Sequence, residues 1–490
     1  MKRISLFLLI TFFQFIGIAQ NFSWYYNTEW SQVQEVRQMC IDNSGNIIAA
    51  GRYFTVTSTG QPTGAFIMKL DSSGNLLWEV HGDGSLIVEG ITTGGSNNLY
   101  IVGKIASSIS LSNGDTLVPP QNNITFFFLM QMTEGGYINW VKYVESGTSG
   151  KIVFYENALY LLCGAGINSA QFDSITIPAY TKCLAKADTS GNFIWLNQSS
   201  GLLINPNEHD INIHNGKINF TAKNTSGGIT TLQYDTAGNF QWSKNLNLNQ
   251  APPRGIASDD NGNVYVVANP ALIRYDNQGN HTGTWAFNQA KGWDVVYKNN
   301  ALYVNGICNT WDNPGILDIF GLGYNGSPSS VDNFFLAKVD LNGAGEWVYF
   351  AKSGFFANCS METTGNGNII SSATSSFPEL QYNDTIQTTS YVDVLIFSIE
   401  DTNFTTTVSN LSTKSSDFKI YPNPSKGELK IEAPDVNYEV IVNDLNGKKL
   451  LSKKLSGSAT LDLSAIRSKT VVVEIYVKGK KVQAEKVVVQ

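Results

Sequence analysis

The chain has 490 residues, among them 44 Gly, 26 Phe, 21 Tyr and 10 Trp, with only 15% charged residues and a net charge of -7. That balance is too apolar and aromatic for a disordered chain, and too acidic for one that grips nucleic acid through its phosphates. Length alone suggests about three domains, unless one fold is large and repetitive.

Residues 1–19 read as a secretory signal peptide: Lys2 and Arg3 precede an apolar run from Ile4 to Ile18, and Gly17-Ile18-Ala19 places small residues before a cleavage point at Gln20. The run is short for a membrane anchor, and no other segment approaches the roughly 20 apolar residues that a helical span needs. No Cys follows the run, which argues against a lipid anchor there. Export permits disulfides, yet the five cysteines (Cys40, Cys163, Cys183, Cys308, Cys359) are too few for a framework. They lie in or beside strand-like stretches and are expected as buried thiols, with a Cys163–Cys183 bridge left open if their strands are adjacent.

From residue 20 to 404 one phrase recurs: an apolar strand, Asp-x-x-Gly, a short spacer, then Trp. It reads FIMKLDSSGNLLW (Asp71, Gly74, Trp78), CLAKADTSGNFIW (Asp188, Gly191, Trp195), LQYDTAGNFQW (Asp235, Gly238, Trp242) and FLAKVDLNGAGEW (Asp340, Gly343, Trp347). Weaker copies end at Trp140, where Thr133 takes the Asp place, and at Trp285, two residues late. A second phrase, a Gly or Asn turn followed by an alternating strand, occurs seven times between Gly45 and Gly367. The seventh repeat lacks its Trp, and the chain supplies one near its start: Trp24 in NFSWYYN precedes the next strand and turn in the usual order. The first strand of the repeat region is therefore expected to complete the last unit.

Asp bonds its own backbone two residues on, and Gly accepts a positive φ, so Asp-x-x-Gly is a hairpin turn. Short strands bounded by such turns, four to a unit of roughly 40–60 residues, predict an all-β, seven-bladed β-propeller over residues 20–404. The Trp of each outer strand is expected to fill the widening gap between blades. The pattern resembles bacterial β-propeller repeats of secreted proteins. Blades four and five are shorter than usual.

Blade six carries a long insertion, Ile307–Asn333, in which Trp311, Phe320 and Tyr324 lie among Gly, Asn, Asp and Ser. Those aromatics would suit stacking on a sugar ring or anchoring a surface protein. They would equally suit an extra hairpin tucked onto the blade.

Residues 405–416 read as a linker, and 417–490 as a small antiparallel β-sandwich of different composition. From Leu411 onward the chain is +5, leaving -12 for the rest. The segment contains Tyr421-Pro422-Asn423-Pro424, Gly427, and Asp444-x-x-Gly447-Lys448. It resembles the C-terminal sorting domain of type IX secretion cargo. The resemblance implies that the type IX machinery recognises this domain and delivers the protein to the cell surface or beyond it.

Chemical motifs are sparse. His209 and His214 have no Cys or Glu completing a metal-ligand pattern, and there is no phosphate loop or nucleophile elbow. Loops such as DDNGN (Asp259, Asp260, Asn261, Asn263) suggest calcium superficially but lack the later bidentate Glu, and hairpin turns account for them. The expectation is a cofactor-free, non-catalytic binding or adhesion module. A secreted propeller enzyme acting on polysaccharide and a purely structural surface protein are the alternatives.

Overall fold

The computed structural model describes residues 22–28, 33–54, 64–199, 201–203, 208–247, 252–287, 290–308, 317–324, 333–352, 359–365, 367–375, 379–382, 384–387, 393–399, 418–422, 424–434, 436–443, 449–464, 466, 470–477 and 480–489. The expected signal peptide and linker lie outside these residues. The chain divides into two compact units, Met1–Asp401 and Thr402–Gln490. All regular structure among the described residues is β-strand.

The first unit holds seven antiparallel sheets that share a four-stranded plan, the fourth with an added short strand, Leu202–Leu203, paired to Lys217–Asn224. Their first strands are Val33–Ile41, Ile87–Thr93, Gly147–Tyr155, His209–His214, Pro253–Ser258, Ala290–Lys298 and Met361–Thr363. Each touches the next, and Met361–Thr363 returns to Val33–Ile41. Seven apolar clusters occupy the seven junctions between successive sheets, the last joining Val36, Met39 and Phe66 of the first sheet to Ile370, Val394 and Ile396 of the seventh. The seventh sheet takes its outermost strand from the start of the chain: Phe22–Asn27 pairs antiparallel with Asp393–Ile399, with Tyr26 opposite Ile396.

The turn phrase is legible atom by atom. Asp71 Oδ1 accepts the backbone N–H groups of Ser73 and Asn75, and its Oδ2 accepts the Asn75 amide, at 2.8–2.9 Å. Asp42, Asp188, Asp235, Asp259 and Asp276 repeat the pattern. In Asp71, Asp235 and Asp276 the amide of the Asn four residues on, with the backbone N–H beside it, holds the carboxyl below its ordinary range. These oxygens are committed to their own turns.

The Trp residues do more than fill a gap. Trp24, Trp78, Trp140, Trp195, Trp242 and Trp285 each lie on the turn Gly of the following sheet, from Gly74 through Gly136, Gly191, Gly238 and Gly279 to Gly343. Trp24 and Trp78 also donate their indole N–H to carbonyls of those turns, Ser72 and Glu134, at 3.0 Å. The residue opposite the Trp joins in: buried Lys69 pairs with Asp42 at 2.9 Å and with Glu134 of the next turn at 3.3 Å, and Lys186 donates to Thr236 O. Every such sheet is thus latched to its successor.

The second unit packs a three-stranded sheet (Lys419–Tyr421, Glu428–Glu432, Ala459–Asp462) and a four-stranded one (Lys449–Ser456, Asn437–Asn443, Thr470–Val477, Lys480–Val488) around one apolar cluster. Alternation places Leu429, Ile431, Val440, Val442, Val471, Val473 and Ile475 inside, as a sandwich requires.

All five cysteines are buried thiols. Cys163 and Cys183 do stand directly opposite on adjacent strands.

Candidate functional site

Inside the cycle of first strands, charged side chains converge. In four of these strands a β-bulge leaves a single residue without a ladder partner: Arg37, Glu89, Arg254 and Trp293. In a fifth the ladder skips Gly150 and Lys151. A bulge re-aims a side chain that regular pleating would send elsewhere. Glu35 Oε2 accepts from Arg52 Nε at 2.8 Å and lies 3.6 Å from Arg37 Nη2, and the Arg254 guanidinium stacks 4.2 Å above the Trp293 ring. Lys151 Nζ, from the third sheet, donates to Arg37 O of the first.

Lys151 also acts on three carboxyls, Asp210 of the neighbouring fourth sheet, Asp294 of the sixth and Glu362 of the seventh. Burial pushes Asp210 up to about 6. Burial and the Asp210 charge push Asp294 up to about 7. Burial, with the charges of Asp294 and Asp210, pushes Glu362 up to about 8.

Two of these carboxyls carry out a structural task. Asp210 Oδ2 accepts the N–H of Ile256 on the next first strand at 3.0 Å, and Asp294 Oδ2 accepts that of Met361 at 2.8 Å. Uncharged side chains do the same elsewhere: Gln38 accepts from Ile91, and Ser360 from Met39. Each of the four residues directly precedes an apolar residue of its strand (Met39, Ile211, Val295, Met361).

A carboxyl whose folded pKa lies above its unfolded value contributes stability fully present below the unfolded pKa, near 4, and lost as pH rises through the folded one. The window for this cluster therefore runs from about pH 4 to about pH 8. Glu362→Gln is expected to shrink the fall in melting temperature between pH 6 and pH 9, as measured by parallel thermal melts. An unchanged pH slope would dismiss Glu362 as a source of it.

His209 and His214 do not form a site together. An odd spacing on one strand puts them on opposite faces. His209 is buried, whereas His214 Nε2 meets Asp260 Oδ1 at 3.1 Å, whose other oxygen accepts from Tyr297.

Several sheets carry an extra hairpin between their second and third strands: Ile109–Leu117, Ala170–Ile177, Leu317–Tyr324 and Glu379–Gln387. Ile109, Leu111 and Leu117 enter the core between the first two sheets, and Phe172 and Ile177 enter that between the second and third. Phe320 belongs to the core between the fifth and sixth, only 7% exposed and edge-to-face with Phe287 at 5.2 Å. This corrects its reading as a ligand-stacking residue: its ring is consumed by packing. Tyr324 ends the same hairpin, and Trp311 lies outside the described residues.

In the second unit, Lys419 and Tyr421 face solvent on either side of buried Ile420, and both meet Glu432, Tyr421 Oη at 2.7 Å. Past Pro422 and Pro424 the chain reaches buried Ser425, whose N–H donates to Val488 O of the final strand at 2.7 Å. Gly427, at φ 93°, accepts from Leu463 N. The motif therefore ties the first strand of the unit to its last. Asn423, Asp444, Gly447 and Lys448 lie outside the described residues.

Residues 419–490 match the family of the secretion system C-terminal sorting domain. The protein is a type IX secretion cargo. Its destination is the cell surface or the extracellular space, and its sorting domain makes the type IX machinery a partner. No helix among the described residues of this cargo is long and apolar enough to cross a membrane. No curated protein matches it in sequence. Among solved structures it is similar to a protein of unknown function from Bacteroides caccae, with 10% identity and a TM-score of 0.30 over 65% of this chain and 82% of that one. It is also similar to a luciferin-regenerating enzyme, with 12% identity and a TM-score of 0.32 over 58% and 87%. At such scores neither speaks to the function of the cargo.

Proposed function

We propose that the seven sheets are blades of a β-propeller, and that the exported ring serves as a binding or adhesion module outside the cell. The closed succession of first strands and the seven inter-sheet cores support the ring. One observation carries binding over catalysis: two of the three clustered carboxyls, Asp210 and Asp294, are engaged in holding neighbouring strands, in the roles that Gln38 and Ser360 fill without charge.

The test is to incubate the secreted protein with a polysaccharide panel, reading both retention on the polymer and release of reducing ends. Retention without release is the expected result. Release that Glu362→Gln abolishes would establish the enzyme instead, with the raised carboxyls as acid and base.

For the route, deleting residues 411–490 is expected to leave a folded ring trapped in the periplasm, detectable by fractionation. Surface delivery of that truncation at the full-length level would refute the dependence on the sorting domain.

A further inference from the structure

The fourth sheet has no extra hairpin. Its second and third strands, Lys217–Asn224 and Ile229–Asp235, are joined by a tight turn in which Asn224 Oδ1 accepts the N–H groups of Ser226 and Gly228. Hairpins fill the corresponding junction between the first and second sheets and that between the second and third. Between the third and fourth sheets the space is open, a cavity of about 440 Å³. That volume lies within the range of roughly 300–1,000 Å³ usual for small-molecule sites.

The register explains what lines it. A bulge between Gln233 and Tyr234 puts Phe240, Ser243 and Asn245 opposite Tyr234, Leu232 and Thr230. All six line the cavity, joined by Ser199 from the third sheet and by Leu202, whose short strand pairs with Lys217–Asn224. Phe240 is 57% exposed and stands edge-to-face on Tyr234, which is itself stacked on Phe220. Thr230 Oγ1 donates to Asn245 Oδ1 at 2.6 Å and accepts from Asn224 Nδ2 at 3.2 Å, so the hydroxyl and amides form an oriented row.

No lining side chain carries a formal charge. A charged ligand would find no counter-ion and would lose hydration on entry. A purely apolar one would strand the row of hydroxyls and amides. Thr230, Leu232 and Tyr234 lie on a strand paired on both sides and present only side chains, so a peptide could add backbone bonds only along the outer edge of Phe240–Leu246 and would meet side chains alone on the floor of the groove. What remains is a neutral, hydroxyl-rich molecule with one apolar face to lay on Phe240 and Leu232.

We infer that the groove between the third and fourth sheets, lined by Phe240, Tyr234, Thr230, Ser243, Asn224 and Asn245, is a binding site for a neutral saccharide. The inference rests on the binding-module reading and gives it a place and a ligand class.

The test uses the full secreted chain on an array of neutral, uronic-acid and sulfated oligosaccharides, followed by titration calorimetry with the neutral hits. Neutral oligosaccharides are expected to bind. Phe240→Ala is expected to weaken them at least about tenfold, since it removes the aromatic platform. Ser243→Glu, which introduces an unpaired charge, is expected to do the same. Both positions are exposed, so melting temperatures should hold and folding failure is separable from lost binding. Trp311→Ala should bind normally. Binding that both variants leave intact would overturn the site while sparing the module; binding confined to acidic glycans or to peptides, or no binding at all, would overturn the ligand class. Cleavage of a bound hit would instead sink the binding reading itself.

Discussion

Deleting residues 22–28 is expected to lower the melting temperature of the protein by on the order of 10 °C and to make it associate. Phe22–Asn27 is the outermost strand of the seventh sheet, yet it belongs to the other end of the chain. Trp24 and Tyr26 pack on the core joining the seventh sheet to the first, and Thr28 exchanges bonds with Val394 through its N–H and hydroxyl. Partial burial of two aromatics and a short ladder together contribute on the order of 5 kcal/mol. Without the strand, Asp393–Ile399 presents an unpaired edge, which pairs readily with another chain. Trp24 would also no longer hold the turn at Gly74. Calorimetry and light scattering on the full chain and the deletion read both effects. An unchanged transition in a monomer would mean that this strand merely decorates the seventh sheet.

How much of this was legible in the sequence depended on whether a signal repeats. The turn Asp, the Gly and the outer Trp recur in register, so each copy constrains the others, and even the late Trp285 shows in the register: it faces Leu272, two places along from where Trp242 faces Gln233. The closing strand was legible because the seventh unit lacked a Trp that the N-terminal segment supplied. The sorting domain was legible through its resemblance to a known family, carried by Tyr421-Pro422-Asn423-Pro424 and Asp444-x-x-Gly447-Lys448.

The charged cluster was not legible for a physical reason. Arg37, Glu89 and Arg254 sit at bulges, and a bulge is a local slip between two strands that single-strand alternation does not encode. A signal was present: Gln38, Asp210, Asp294 and Ser360 each precede an apolar residue in the strand before a turn phrase. Their identities differ because any acceptor will do.

The groove illustrates the opposite difficulty. In sequence, Trp311, Phe320 and Tyr324 among polar residues resemble a binding loop. In the fold such insertions fill spaces, as Phe320 does. The groove lies where the sequence is short, at the fourth sheet, and a missing segment leaves no residues in the sequence to mark it.

The latch between successive sheets permits a test in which backbone strain and collision are measured apart. Gly343 has φ 85°, and a Cβ there would come within 2.0 Å of Trp285. Gly216 also has a positive φ, 71°, but a Cβ there meets nothing within 4 Å. Gly216→Ala should therefore cost only the left-handed backbone term, about 1–2 kcal/mol. Gly343→Ala should add the cost of displacing an indole packed between two sheets, about 1–3 kcal/mol more. Gly279→Ala, aimed at Trp242 at 2.5 Å, should fall with Gly343→Ala. In Gly343→Ala/Trp285→Ala the second change removes the obstacle, so the double variant should lose less than the sum of the singles. Chemical denaturation of the four variants and the double reads these differences. Equal losses at Gly216 and Gly343 would show that the turn glycines serve φ alone and that the Trp contact does not bind sheet to sheet. A larger loss at Gly343, relieved in the double variant, would show why the repeat keeps Gly and Trp together although they meet only across neighbouring units.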